Sequence, residues 1–289
     1  DSRFNTKEIE SYIKQKPNSY IIFGWNPFLN LYNWSGRNPD KTVNKFIRKI
    51  GTAPVVYLPS QVEASVDNIK RHLEYLGYYG SDVQGHTVVK GKKVHVTYSV
   101  TLGKRFRIGS ITYSVPEGEF KEDFMADTAL ISIKPGDYLS EDALEKETER
   151  NASVLRRKGY FGFTKNYFYF EADTLHSADT ADLLMSVRNY TRNQTPEYAR
   201  PHRKYFLGDV TISYDSDLAF NEKVLRNLCT LRPGEMYDED DVNTTYTRFS
   251  ALKLFSGVNI SLNPRDTATV DCDISLTRSR MQGFKVNLE

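Results

Sequence analysis

The chain has 289 residues, of which 39% are hydrophobic and 26% are charged, a composition typical of a folded globular protein of about two domains. Its 39 basic and 37 acidic side chains nearly balance, which argues against a nucleic-acid partner because phosphate binding needs a clustered basic excess. No apolar run of about 18 residues is long enough for a membrane-spanning helix, and two cysteines are too few for a disulfide framework or a Cys-rich zinc domain.

One sequence pattern occurs three times along the chain. Each copy has a turn at a proline, a helix that ends at a glycine, and then two strands. The turns are at Pro17-Asn18, Pro135-Gly136 and Pro233-Gly234, and the glycines are Gly77, Gly159 and Gly257. In the second and third copies a strand with a central glycine, typical of a β-bulge, comes before the turn. The repeats predict domains at 1–102, 103–201 and 202–280.

The first copy departs from this pattern in two ways. Its turn lies so close to Asp1 that no room is left for the opening strand, so we expect the native chain to start earlier. It also has an insertion over residues 21–57, with the aromatic side chains Phe23, Trp25, Phe28, Tyr32 and Trp34. A short amphipathic helix capped by Asp40 is predicted within it. The insertion is either a flap over its own repeat or a contact with a partner or the membrane interface, where Trp, Tyr, Lys and Arg are favoured.

The second helix of each copy is the clearest predicted element. In the first copy, apolar residues recur every three or four positions from Val62 to Leu76, and Ser60 with Glu63 predicts a capping box. In the third copy, Asp238 precedes a run of acids that suits a helix N-terminus. The acidic runs 145–149 and 239–241 are interpreted as solvated helix faces.

A hairpin follows each of these helices. The predicted strands are 82–89 with 93–101, 163–172 with 181–188, and 258–262 with 268–276. A strand joined to a hairpin by two helices lies parallel to its neighbour. We therefore expect the last strand of each repeat at the centre of the sheet, and the opening strand and the first hairpin strand at its edges. Downstream, the alternation in residues 281–289 predicts the start of a further strand that is cut at Glu289.

The repeats resemble the polypeptide-transport-associated (POTRA) domain. The bulged first strand, the Lys/Arg-Pro-Gly turn and the Gly-Tyr-Phe/Tyr-Gly helix end carry this resemblance. Three such units before a new strand are similar to the periplasmic arm of a BamA/TamA superfamily (Omp85) outer-membrane protein. The insertion, from Phe23-Gly24 through Ile50-Gly51, resembles the TamA-like lipoproteins (TamL) of the Bacteroidota.

The resemblance implies an α+β fold of three tandem β-α-α-β-β POTRA domains, each a three-stranded mixed sheet covered by two helices. It also implies a periplasmic location in a Gram-negative cell, a lipidated N-terminus and an adjoining C-terminal β-barrel. The partners it implies are nascent outer-membrane proteins and a TamB-like periplasmic protein.

Catalysis has little support in the sequence. The chain lacks the Gly-x-Ser-x-Gly, His-Glu-x-x-His, P-loop and Gly-x-Gly-x-x-Gly motifs, and no cofactor or metal is expected. His86 and His95 approach each other diagonally across a hairpin, but two imidazoles alone make a weak metal site.

Edge strands give a mechanism for binding, because an extended polypeptide can add to them through main-chain hydrogen bonds. The edge residues predicted to bind partners are Tyr167, Phe168, Tyr169, Phe170, Val258 and Ile260. The function expected is therefore a non-enzymatic module that receives outer-membrane substrates and relays them to the barrel. The alternative is a scaffold or adaptor of an envelope complex, in which the repeats only fix spacing.

Two further sets of residues are candidates for covalent chemistry. Cys229 and Cys272 are predicted to face one core, either as a disulfide or as two buried thiols. Threonines after aspartate resemble the O-glycosylation motif of exported Bacteroidota proteins. The candidates in loops are Thr174, Thr180 and Thr267.

Overall fold

The structure is a computed structural model that describes residues 6–18, 27–36, 38, 40–126, 131–175, 177–191, 199–214 and 222–279. The chain divides into two compact units, Asp1–Phe106 and Arg107–Glu289. The first unit contains the first repeat, and the second unit contains the other two. The exact boundaries expected for three separate domains stay a prediction, and residues 281–289 lie outside the described residues.

The first unit is a helical layer over a β-hairpin. Its elements are α1 (Thr6–Glu10), α2 (Pro27–Trp34), α3 (Thr42–Ile50), α4 (Pro59–Tyr75), β1 (Asp82–Lys90) and β2 (Lys93–Thr101). The strands β1 and β2 are antiparallel, and they are the only two in the sheet of this repeat among the described residues. Ile69 and Leu73 of α4 are fully buried beside Ile9 and Val83, as the apolar stripe predicts. The predicted capping box is wrong, since α4 begins at Pro59 and its N-cap Leu58 has no side-chain hydrogen bond.

The second unit contains two copies of one layered fold. The second repeat consists of β3 (Arg107–Ser114), α5 (Glu119–Ala126), α6 (Glu141–Arg157), β4 (Phe168–Asp173) and β5 (Thr180–Val187), followed by the short pair β6 (Tyr190–Thr191) and β7 (Ala199–Arg200). The third repeat consists of β8 (Phe206–Tyr214), α7 (Glu222–Leu228), α8 (Glu239–Ala251), β9 (Phe255–Pro264) and β10 (Thr269–Arg278).

The order of the strands is the one expected. The sheets run β3-β5-β4 and β8-β10-β9, with the central strand parallel to the opening strand and antiparallel to the first hairpin strand. The register of β3 on β5 shifts between Ile108 and Ile111, and β10 shifts against β8 between Val270 and Cys272. Both shifts lie where Gly109 and Gly208 interrupt the alternation, so the predicted bulges are confirmed.

The proline turns hydrogen-bond back to the opening strands in both repeats. Gly136 donates its N–H to the carbonyl of Ile108 at 2.7 Å, and Gly234 donates to Leu207 at 2.7 Å. The returning bonds, from Ile108 and Leu207 to the residues after each glycine, measure 2.8 Å. These pairs anchor the crossover between the two helices to the edge of each sheet.

The third repeat is shorter than the second between its helix and its hairpin. The equivalence of Gly257 with Gly159 is therefore wrong, because Gly257 lies within β9, whereas Gly159 ends the turn after α6 with a positive φ of 96°. Asp238 caps α8 as predicted, and its carboxylate accepts the N–H of Asp240 at 2.8 Å.

Candidate functional site

Two exposed sheet edges are the first candidate binding features. β4 and β9 are edge strands in sheets with the strand orders β3-β5-β4 and β8-β10-β9, and each pairs with one neighbour among the described strands. The predicted start of β4 at residue 163 is wrong, since Lys165–Tyr167 forms a 3₁₀ turn and the strand begins at Phe168. Tyr167 is therefore not an edge-strand residue.

The aromatic side chains of residues 168–170 in β4 alternate between the buried face of the sheet and its exposed face. Phe168 is buried against Phe124 and Phe163, with ring centroids 6.2 and 5.7 Å away. Tyr169 is exposed on the opposite face, where the Arg188 guanidinium lies 3.4 Å from its ring centroid. Phe170 is half-buried.

The direction of the β4 amides follows from one hydrogen bond. Arg188 donates its N–H to the carbonyl of Tyr167 at 2.9 Å, so these opposed residues form a hydrogen-bonded pair. Bonded and non-bonded pairs alternate along an antiparallel ladder, and the register to β5 is continuous. The backbone groups of Phe168, Phe170 and Ala172 therefore point away from β5. The Phe168 N–H already donates to the Lys165 carbonyl of the preceding 3₁₀ turn, so the open edge begins at Phe170.

The same reasoning applies to β9. Arg265 donates its N–H to Thr269 at 2.9 Å, so Val258, Ile260, Leu262 and Pro264 direct their backbone groups outward. The first three of these side chains pack on the core of the third repeat. Pro264 has no N–H. Because this position points away from β10, the proline removes no hydrogen bond between β9 and β10, but it removes one donor from the outer edge of β9.

The second and third repeats meet at the turn after α6. Gly159 accepts the N–H of Tyr205 at 2.9 Å, and the Phe161 ring makes edge contacts with Tyr205 and Tyr237 at 5.6 and 5.2 Å. A Cβ at Gly159 would lie 3.0 Å from Met236, and its positive φ also favours glycine. This sequence element therefore joins the two repeats as well as ending a helix.

Ion pairs surround this junction. Arg156 donates to Glu239 at 2.6 Å, Arg157 lies 3.5 Å from Asp240, and Lys204 contacts Glu119 and Asp123 at 2.8 Å. The interpretation of 239–241 as a solvated face is therefore wrong for Glu239. Burial and the neighbouring carboxylate of Glu239 raise the pKa of Tyr237 to about 12.

A further residue that the sequence did not single out is His202, which precedes β8 and packs on the second repeat. Its ring centroid is 4.8 Å from those of Phe120 and Phe163 and 4.7 Å from that of Tyr167. Its Nε2 lies 2.8 Å from the carbonyl of Arg188. Burial lowers its pKa, so the neutral ring that donates to this carbonyl is the favoured form.

The aromatic insertion forms two short helices in its described part. Phe28, Tyr32 and Trp34 belong to α2, and Phe23 and Trp25 lie outside the described residues. Trp34 is 80% exposed, and Phe28 is also exposed. The prediction that Asp40 caps the next helix is wrong, because α3 begins at Thr42 with Lys41 as its N-cap.

The two cysteines face one core, as expected, and both are buried free thiols. Burial, with a smaller contribution from Cys229, raises the pKa of the Cys272 thiol to about 12. Among the described residues no group of three or more His, Cys, Asp or Glu side chains could hold a metal ion. His86 and His95 lie diagonally on β1 and β2, as predicted.

The candidate threonines differ in accessibility. Thr174 and Thr267 are exposed outside the strands, as predicted. The loop position predicted for Thr180 is wrong, because Thr180 is the half-buried first residue of β5 and pairs with Arg107. Modification at any of them stays a prediction. In the described part of the chain, no helix has the length and hydropathy needed to cross a membrane.

Comparison with known proteins bears on the first repeat and on the fold. Residues 1–103 match the POTRA family model, described as a surface antigen variable number repeat. No curated protein matches the chain. The solved BamA POTRA3-5 of Haemophilus influenzae is 13% identical, with 96% of this chain and 92% of that chain covered and a TM-score of 0.50.

Two other solved structures are less similar. BamA of Haemophilus ducreyi lacking POTRA domains 1–3 is 12% identical over 60% of this chain and 30% of that chain, with a TM-score of 0.47. POTRA1-3 of the periplasmic domain of Omp85 from Anabaena is 12% identical over 92% and 93%, with a TM-score of 0.28. The chain therefore has the repeated β-α-α-β-β fold of POTRA domains, and its residues 1–103 match the sequence model of that family.

Proposed function

We propose that this chain is the periplasmic, non-enzymatic polypeptide-binding module of an outer-membrane protein assembly machine. The observation that carries the proposal is the pair of sheet edges, β4 and β9, that have no second strand neighbour among the described residues. In this proposal an extended client segment adds to an edge and passes to the adjoining β-barrel of the same protein. The POTRA match and the fold support this context.

Strand addition suits a receptor for many sequences. The outward groups of Phe170 and Ala172 are main-chain donors and acceptors, whereas the Phe168 N–H already donates to the Lys165 carbonyl. The client therefore supplies its own main chain and few specific side chains. β4 offers the more favourable edge, because Pro264 removes one donor from β9. No residue of either edge is given a catalytic role, and the function needs no cofactor.

The finer identity follows the resemblance of the insertion to TamL of the Bacteroidota. On that basis the full protein is a lipoprotein of the outer membrane, its clients are nascent outer-membrane proteins, and its dedicated partner is a TamB-like periplasmic protein. Photocrosslinking from the insertion in native cells would identify that partner directly.

Ala172 offers the cleanest test of edge binding. Its side chain is exposed and its amide points outward, so Ala172→Pro removes an edge donor and leaves the bonds to β5 intact. We expect the variant to fold, with a change of about 1 kcal/mol or less in unfolding free energy, and to impair the assembly of outer-membrane proteins in cells. Ala172→Ser, which keeps the N–H, is the matched control and should assemble clients normally.

A photoreactive residue at position 172 should also crosslink to client segments, and one at the exposed Lys146 of α6 should not. Normal assembly with a folded Ala172→Pro protein, together with no crosslinks from 172, would remove β4 from the mechanism.

The scaffold alternative has one observation in its favour. The junction of the second and third repeats is joined by a main-chain hydrogen bond, ring contacts and ion pairs, as a spacer of fixed geometry requires. A scaffold predicts the opposite pattern of sensitivity: β4 variants are tolerated, whereas weakening the junction by Phe161→Ala abolishes assembly.

A further inference from the structure

The helix α3 has an unusual orientation for an amphipathic surface helix. Its polar side is bonded to the two residues that follow α2: Arg48 donates to the Ser35 hydroxyl at 2.9 Å and to the Gly36 carbonyl at 3.2 Å, and the Asn44 side chain accepts the Gly36 N–H at 3.0 Å. The Arg48 guanidinium also lies 5.6 Å from the Tyr32 ring centroid. The polar face of α3 is thus the face that contacts the neighbouring residues of the insertion.

Three of the four apolar side chains of α3 are exposed to solvent, and the fourth, Ile47, is half-buried. Val43 is 69% exposed, Phe46 is 64% exposed and Ile50 is 46% exposed, and their spacing of three and four places them on one helix face. An amphipathic helix in a globular protein normally buries this face. The contact from the Thr52 N–H to the Phe28 carbonyl, 3.1 Å, fixes α3 to α2 in this orientation.

Charge identifies the kind of surface that fits this face. Residues 11–62 contain seven Lys and Arg but only one acidic residue. The rest of the chain contains 32 Lys and Arg and 36 Asp and Glu, so the positive charge is concentrated around α2 and α3. Lys45 and Lys49 are exposed along one border of the apolar strip. The single acid, Asp40, lies 3.9 Å from Lys45.

We infer that the apolar face of α3 docks on the surface of a membrane that carries anionic lipid headgroups. Val43, Phe46 and Ile50 would enter the boundary between headgroups and acyl chains, with the lysines beside the lipid phosphates. The exposed Trp34 at the end of α2 is a residue type enriched at this depth. This inference does not depend on strand addition at β4 or β9.

Cosedimentation of the whole 289-residue chain with vesicles tests it. We expect the chain to pellet with vesicles of phosphatidylethanolamine and about 30% phosphatidylglycerol and to stay in solution with phosphatidylcholine alone. Raising the salt from about 0.05 M to about 0.5 M should weaken binding, because the charge contribution is screened.

Two variants and a control locate the surface. Phe46→Glu and the pair Lys45→Glu with Lys49→Glu should each lower vesicle partition at least about tenfold, with unchanged thermal unfolding because these side chains are exposed. Val88→Glu, in the exposed part of β1, should bind as the parent does.

Three results would overturn the inference. They are no binding to the anionic vesicles at low salt, binding that Phe46→Glu leaves unchanged, and a concentration-dependent dimer that Phe46→Glu abolishes without any effect on vesicles. The last result would assign the face to a second copy of the chain.

Discussion

The second and third repeats use different side chains to accept a hydrogen bond from the same main-chain N–H. Before each proline turn, a main-chain N–H points into the layer under the second helix. In the second repeat Ser132 donates this N–H to the Glu147 carboxylate at 3.1 Å, and in the third repeat Thr230 donates it to the Thr245 hydroxyl at 3.0 Å. The first repeat has the same arrangement, with the Lys14 N–H donated to the Ser65 hydroxyl at 2.9 Å.

The difference shows what this position requires. Glu147, Thr245 and Ser65 are all fully buried, and their common property is an oxygen that accepts a hydrogen bond. A carboxylate needs more donors than a hydroxyl, and Glu147 has them in Arg150, Asn151 and the Ser132 hydroxyl. Thr245 needs only the hydroxyl and N–H of Thr230. The fold therefore specifies an acceptor and leaves its charge open.

The largest effect is expected from removal of the charged acceptor. Glu147→Ala leaves the Ser132 N–H without its partner and Arg150 without its carboxylate, which lies 3.0 Å away. Because Glu147 is fully buried, we expect a loss of about 3 kcal/mol in the unfolding free energy, measured by chemical denaturation.

The matched control is Asp142→Ala on the exposed side of the same helix, where the pair with Lys146 is more solvated. It should cost about 0.5 kcal/mol or less. Equal losses from the two variants would show that the buried network contributes no more than a surface ion pair.

Acid should weaken the same network in the second repeat. Burial alone would raise the pKa of Glu147, but hydrogen bonds from Arg150 and Ser132 hold it below its usual value of 4.5. The unfolded chain therefore takes up the proton first. The contribution of Glu147 is complete above pH 4.5 and is lost as the pH falls through the lower pKa of the folded protein.

Hydrogen exchange measured peptide by peptide would separate the repeats. Residues 131–135 should lose protection in acid, and the equivalent residues 229–233 should lose less, because Thr245 does not titrate. Glu147→Gln should remove part of the difference between the repeats. An equal loss in both repeats would assign the acid sensitivity to other groups.

A smaller loss of unfolding free energy is expected from a change in the third repeat. Thr245→Val keeps the shape of the side chain and removes the acceptor, which leaves the Thr230 N–H and hydroxyl with one partner fewer each. The expected cost is about 1–2 kcal/mol. Thr245→Ser keeps the hydroxyl and should lose about 0.8 kcal/mol, the contribution of one buried methyl group. If the two variants are equally stable, the hydrogen bond is not what this position provides.

The sequence predicted more of the fold than of its polar contacts. The apolar alternation, with its interruptions at Gly109 and Gly208, and the order of helices and strands correctly predicted the sheet order and both bulges, because these features depend on the backbone and on one buried face. The glycine spacing failed only where it equated Gly257 with Gly159. The same patterns do not show which polar side chain points inward. Glu147 lies within the acidic run 145–149, whose pattern predicts a solvated helix face, although Glu147 is fully buried.

The candidate edges show the same division. The position of β4 and β9 at the ends of the sheets could be predicted. The direction of each main-chain N–H, toward the neighbouring strand or toward the open edge, could not, because it depends on hydrogen bonds such as that from Arg188 to Tyr167. The contacts of Glu239 with Arg156 join residues 83 positions apart, and no local pattern predicts such a pair.

The smallest effect is expected at that ion pair between the repeats. Arg156 and Glu239 are 26% and 25% exposed, so water screens their attraction only in part. Arg156 also donates to the Phe163 carbonyl at 3.0 Å, so a single Arg156→Ala change would report on both contacts. A double-mutant cycle with Glu239→Ala isolates the ion pair, and we expect a coupling energy of about 0.5–1 kcal/mol. High salt should reduce this value, and the exposed pair of Lys146 and Asp142 serves as the reference for a weaker coupling. A coupling near zero would mean that the Phe161 ring and the hydrogen bond from Tyr205 to Gly159 hold the repeats together without help from charge.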